Sequence, residues 1–132
     1  MTVVPWRAAV AVAYMVGIFA LSSLPSSVFA NLGLPAALGN LAHVPLFAGL
    51  ACVTLWALVG PPLRSALLAA LACLIFAATD EWHQAFTPGR VPEVADLFAD
   101  AAGILLGIAA FALLPADWRT ARERGGPGGQ QL

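Results

Sequence analysis

The stretch RSALLAALACLIFAATDEWHQAF (residues 64–86) decides how this chain is read. No charge falls between Arg64 and Asp80, and the run then closes on Asp80-Glu81-Trp82-His83-Gln84. A helix that crosses a bilayer needs about 20 mostly apolar residues. The run is Ala/Leu-rich and lacks period-2 alternation, so it predicts a spanning helix with a polar end rather than a strand, whose open edge lipid would not satisfy. Working outward, three more runs qualify: about Pro5 to Leu24, Leu41 to Gly60 and Val94 to Leu114. Breakers separate them, namely Pro25 with its serines, Pro61-Pro62, and Pro88-Gly89 through Pro92, while Pro115 closes the last.

Composition agrees. Of 132 residues 61% are hydrophobic and 10% charged, against about 45–50% and about 25% in soluble domains. A net charge of −1 leaves no basic footprint, so no nucleic-acid partner is expected. Two cysteines inside apolar runs make no disulfide framework. The expected fold class is an all-α integral membrane protein, a four-transmembrane-helix bundle over residues 1–115, with a flexible polar tail over 116–132.

Arginine placement gives the orientation. With four spans, Arg7, Arg64, Arg119, Arg122 and Arg124 all fall on one side, and Arg90 alone on the other. Both termini, and the tail, are therefore expected in the cytoplasm. The alternative is that the first run is a cleavable signal, cut after Val28-Phe29-Ala30, for which it is long. Small residues recur at Ala9, Ala13 and Gly17 and at Gly103 and Gly107, and such spacing predicts close helix packing.

This orientation carries polar groups from all four helices to one depth near the outer surface. They are Ser22-Ser23, Asn40 and His43, Asp80 to Gln84, and Asp96 and Asp100, with Arg90 and Glu93 in the connecting loop. Ionisable groups inside spans usually face an interior or a wet cavity. Asp80 and Gln84 continue the stripe of Cys73 and Ala77, while Asp96, Asp100, Gly103 and Gly107 share one face. Glu81 and His83 fall on other faces of their helix, and Trp82 suits an interfacial anchor. Five acids and Arg90 would carry −4 if all were ionised. Protons, a bound cation or a reach-back by Arg90, whose fork suits carboxylates, would relieve that charge.

The pattern Asp80-Glu81-x-His83-Gln84, Pro88-Gly89-Arg90, Asp96, Gly103 and Gly107 resembles the signature of the VanZ-like membrane proteins. His43 with Phe47 resembles that family's second-helix motif, and Ser22-Ser23-x-Pro25 the end of its first helix. The likeness runs from about Trp6 to Leu114. Gly39-Asn40 stand where members often carry Asp-Lys, Asp100 where asparagine is usual, and Phe47 where tyrosine is frequent. The resemblance implies a multi-pass protein of the bacterial plasma membrane and the cell envelope. Its founding member is associated with low-level resistance to the antibiotic teicoplanin, which is a phenotype rather than a reaction.

Three readings of the polar residues stand side by side. In the first, His43, Asp80, Glu81, Gln84, Arg90, Asp96 and Asp100 bind a lipid head group, a lipid-linked wall precursor or a glycopeptide, without chemistry. In the second they form an enzyme site. Asp80, Glu81 or Asp96 then serves as acid or base. Its metal variant uses Asp80 and His83, with Asp96, Asp100 or His43 opposite, as oxygen-rich ligation suited to a divalent cation. No other cofactor is called for. In the third the same groups only cross-link helix ends. Cysteine-accessibility labelling tests the topology: a cysteine placed at position 90 should label from outside intact cells, whereas labelling at position 64 would overturn the orientation.

Overall fold

The computed structural model describes residues 1–33 and 36–115, with side chains described for all of these except 36–40. The tail 116–132 with Arg119, Arg122 and Arg124, and the Asn40 side chain, lie outside the described residues. The order is β1 (Thr2–Val3), α1 (Pro5–Ser22), α2 (Ser26–Asn31), α3 (Ala36–Ala57), β2 (Leu58–Val59), α4 (Pro62–Gln84) and α5 (Val94–Leu113). The long helices lie close to the expected runs, and α3 begins five residues earlier than the run that predicted it.

Local chemistry explains the boundaries. Pro5 opens α1 and Pro62 opens α4, positions where a missing N–H costs nothing. Pro45 sits inside α3 and removes one rung of its hydrogen-bond ladder. Between α4 and α5 the chain reverses through Thr87-Pro88-Gly89-Arg90. There the Arg90 N–H donates to the Thr87 carbonyl at 3.1 Å, and Gly89 takes φ +73°, the arrangement of a type II turn.

Three helices are long and apolar enough to cross a membrane: Pro5–Ser22, Pro62–Gln84 and Val94–Leu113. In α3 the described apolar part is Leu41–Ala57. The 23 residues of α4 reach about 34 Å, enough for the hydrocarbon core. Large apolar side chains cover the outside, among them Leu71, Ile75, Leu105 and Leu113. So wide an apolar surface is foreign to soluble monomers and suits a lipid environment.

One expectation is corrected: the chain does contain strands. Thr2 pairs with Val59 and Val3 with Leu58, antiparallel. The Val4 N–H continues the ladder to the Ala57 carbonyl at 3.0 Å. The pair ties the start of α1 to the end of α3. Beside it Arg7 is buried with its guanidinium against the edge-to-face pair Trp6 and Trp56, 5.3 and 5.0 Å from their ring centres. Two-residue strands carry too little pattern for periodicity to detect.

The core is Ile18, Phe47, Leu50, Ala51, Cys73, Ala77 and Ile104. The closest approach lies between α5 and α3. A Cβ added at Gly103 would overlap the Val44 carbonyl oxygen, and one at Gly107 that of Ala48. The Gly103/Gly107 expectation of close packing is met within the chain. The Ala9/Ala13/Gly17 expectation is corrected: that stripe is exposed, and α1 instead buries Arg7, Ala11, Ile18 and Ser22. Spacing alone does not distinguish the two faces of an Ala-rich helix.

Gly103→Ala and Gly107→Ala should each lower stability by about 1–3 kcal/mol through overpacking against backbone. Gly17→Ala, with nothing within 4 Å of the new methyl, should not. Thermal unfolding in detergent reads the difference, and equal losses at all three positions would contradict the packing.

Candidate functional site

Successive long helices run in opposite directions, so the end of α1, the first turns of α3, the end of α4 and the start of α5 meet at one end of the molecule. At that end the α4 face Cys73, Ala77, Asp80 and Gln84 is buried, as is the α5 face Asp96, Asp100, Gly103 and Gly107. Both are the stripes expected from spacing.

Two polar networks occupy the space. In one, the Ser22 hydroxyl donates to Asp80 Oδ2 at 2.6 Å, and Gln84 Nε2, one turn on, donates to the same oxygen at 3.4 Å. In the other, His43 Nδ1 meets Asp100 Oδ1 at 2.7 Å, while His43 Nε2 faces Asp96 Oδ2 at 3.8 Å. Asp80 and Asp100 are 2% and 1% exposed. The His43 ring lies parallel to Phe47, which is itself buried against Phe76. Packing thus limits how far the imidazole can turn. Glu81 ties the end of α4 to the loop, because its Oε1 accepts the Glu93 N–H at the cap of α5.

The acids act on one another. Asp100 lies in the fields of Asp80 and Asp96, and Glu81 in those of Asp96, Asp100 and His43. Their hydrogen bonding is incomplete. Asp80 Oδ1, Glu81 Oε2 and Asp96 Oδ1 are buried with no hydrogen-bond partner among the described residues, and so is Arg90 Nε. Buried polar atoms normally find partners, because leaving one unpaired forfeits its hydration without return.

The structure brings together six of the residues singled out from the sequence: His43, Asp80, Glu81, Gln84, Asp96 and Asp100. Glu81, assigned by phase to another face, is buried as well, since α4's covered sector widens where α5 and its loop begin. His83 turns away from Asp80. It contacts the Ser23 hydroxyl at 3.0 Å and stacks on Phe19 at 4.1 Å. Asp80 and His83 therefore do not converge as paired ligands. Among the described residues no three of His, Cys, Asp and Glu are grouped as a metal site. Arg90 also departs from expectation. Its guanidinium lies 5.4 Å over the Phe29 ring, and among the described residues it pairs with no carboxylate.

Ser22 is the residue that sequence reasoning undervalued. Its neighbour Ser23 bonds its own helix end, the hydroxyl donating to the Phe19 carbonyl at 2.7 Å. Ser22 instead crosses to α4. The available signal was phase: Ser22 follows Ile18 by four residues and so shares its buried face. Trp82 points outward and meets Phe86 edge to face, as an interfacial aromatic would.

The arrangement offers carboxylate oxygens as acceptors inside, an imidazole held at Nδ1 and open toward Asp96 at Nε2, and a guanidinium in the covering loop. It can hold a proton on His43 and accept hydrogen bonds from a ligand. No curated protein and no solved structure matches the chain. One family's sequence profile does, that of VanZ/LLP1, over residues 4–115. That span contains every residue of the polar end, and the chain belongs to the VanZ/LLP1 family.

Proposed function

We propose that this protein binds a cell-envelope ligand in the polar end of a four-span bundle. In this reading α3 is the fourth span beside α1, α4 and α5. Residues 1–115 form the membrane domain, and both termini lie in the cytoplasm with the tail 116–132. Arg7 and Arg64 then face inward, while the acid end with Arg90 lies in the outer leaflet of the bacterial plasma membrane. The ligand is a lipid head group, a lipid-linked wall precursor or a glycopeptide, and sequestering or masking it at the outer surface is the route to a glycopeptide-resistance phenotype.

The observation that carries this reading is the set of buried oxygens without a hydrogen-bond partner among the described residues, Asp80 Oδ1, Glu81 Oε2 and Asp96 Oδ1. A network whose only task is to cross-link helices gains nothing from half-used carboxylates, since a partly satisfied buried network is worse than an apolar one. A ligand that donates hydrogen bonds makes them useful. A second reading, acid–base catalysis on the bound molecule, is favoured by one feature. Asp100 holds His43 at Nδ1, which leaves Nε2 as the group to take or give a proton. A divalent cation as cofactor has less behind it, because His83 is turned away from Asp80.

The test is lipid and metabolite analysis of protein purified in mild detergent. Wild type should retain a head-group-bearing compound near one per chain. Asp80→Asn, Glu81→Gln and Arg90→Lys should each lower retention about tenfold, equivalent to about 1.4 kcal/mol, while accumulating normally in the membrane. Variants that are merely degraded, or wild type carrying nothing beyond bulk lipid, would return the network to a structural role.

A further inference from the structure

The buried acids outnumber the cations available to them. Asp80, Glu81, Asp96 and Asp100 are each at most 6% exposed, and among the described residues the one basic side chain paired with them is His43, shared by Asp96 and Asp100. The chain has no lysine. Arg7 lies at the opposite end beside Trp56, and Arg90 is stacked on Phe29. Asp96 is the sharpest case. It is 6% exposed, and among the described residues its Oδ1 has no partner and its Oδ2 has only His43 Nε2 at 3.8 Å, beyond hydrogen-bond range.

Chemistry narrows what fits. An ionised carboxylate only accepts, so the missing partner must donate. A metal ion would need several ligands turned to one point, and among the described residues no three are. A quaternary ammonium carries charge without donors and is recognised by aromatic cages. Here Phe47 is committed to His43 and Phe76, and Phe29 to Arg90. A primary ammonium supplies both the charge and N–H donors, and among the described residues Glu81 Oε2 on α4 and Asp96 Oδ1 on α5 are buried acceptors without a partner. Arg90 belongs to the loop that Glu81 ties to the start of α5, and its unpartnered Nε suits a phosphate near that ammonium.

We propose that the polar end recognises a primary ammonium group joined through a short linker to a phosphate, with the ammonium on the carboxylates of Glu81 and Asp96 and the phosphate on Arg90. This rests on the binding reading above and names its ligand class. The same chemistry occurs in an ethanolamine-type lipid head group and in a soluble phospho-amine. The apolar outer surface of the bundle favours the lipid.

The test is native mass spectrometry of the full chain in detergent, titrated with phosphatidylethanolamine, its N-acetyl derivative, phosphatidylcholine, phosphatidylglycerol and soluble glycerophosphoethanolamine. Phosphatidylethanolamine should be retained saturably and about tenfold above the other three lipids. Asp96→Asn and Glu81→Gln should remove that preference without loss of helicity by circular dichroism. Arg90→Gln should weaken every phosphate-bearing lipid alike. Glycerophosphoethanolamine competing at equal concentration would support the chemistry and move the source to solution. Saturable binding of all four lipids to the same extent would overturn the ammonium assignment and leave the binding reading standing. Absence of saturable binding by any of the five compounds would overturn the ammonium–phosphate assignment and leave the binding reading to the wall precursors and glycopeptides.

Discussion

The approach of α5 to α3 is the constraint on which the polar end depends. Gly103 and Gly107 lay backbone against the carbonyls of Val44 and Ala48. Val44 follows His43 directly, and Asp100 stands three residues before Gly103. The glycine contact therefore sets the separation at which His43 Nδ1 meets Asp100 at 2.7 Å and brings Asp96 opposite Nε2. A side chain at either glycine would separate the helices and stretch that pair. Packing and site chemistry share one row of residues on α5.

The two ends of the molecule handle charge differently. At one end Arg7 is buried, donates to the Trp56 carbonyl at 3.3 Å and rests against two indoles that touch edge to face, and the β1–β2 pair lies beside the same place. At the other end four carboxyl groups are buried, two of them facing His43, and among the described residues several of their oxygens have no hydrogen-bond partner. A charge at the centre of a membrane costs about 2.5–3.5 kcal/mol on insertion scales. An arrangement that adds acids without adding bases makes sense when something from outside the chain completes it.

Much of this was legible in the sequence. The spans follow from run length and proline breaks. The buried faces of α4 and α5 follow from spacing, because Asp80 and Gln84 continue Cys73 and Ala77, and Asp96 and Asp100 continue into Gly103 and Gly107. The residue pattern also pointed to the family that the chain belongs to. What escaped has physical reasons. Two-residue strands have no period to detect. Ala9, Ala13 and Gly17 mimic a packing stripe because small residues are frequent all around α1. A reach-back by Arg90 to the carboxylates was one of three ways to relieve their charge, but its position on the turn sets it over Phe29 instead. Ser22 and Ser23 are neighbours of identical type, and only helix phase separates the one that bonds Asp80 from the one that bonds its own helix.

The central claim is that the buried acids serve a ligand rather than the fold. The most direct measurement is thermal unfolding of wild type and Asp96→Leu in detergent, each with and without added envelope lipid extract. Replacing an uncompensated buried acid by an apolar side chain of similar volume should leave the lipid-free protein as stable as wild type or more so. The account predicts that lipid then stabilises wild type and leaves the variant unchanged. A variant that unfolds well below wild type without lipid, and gains as much as wild type when lipid is added, would contradict it.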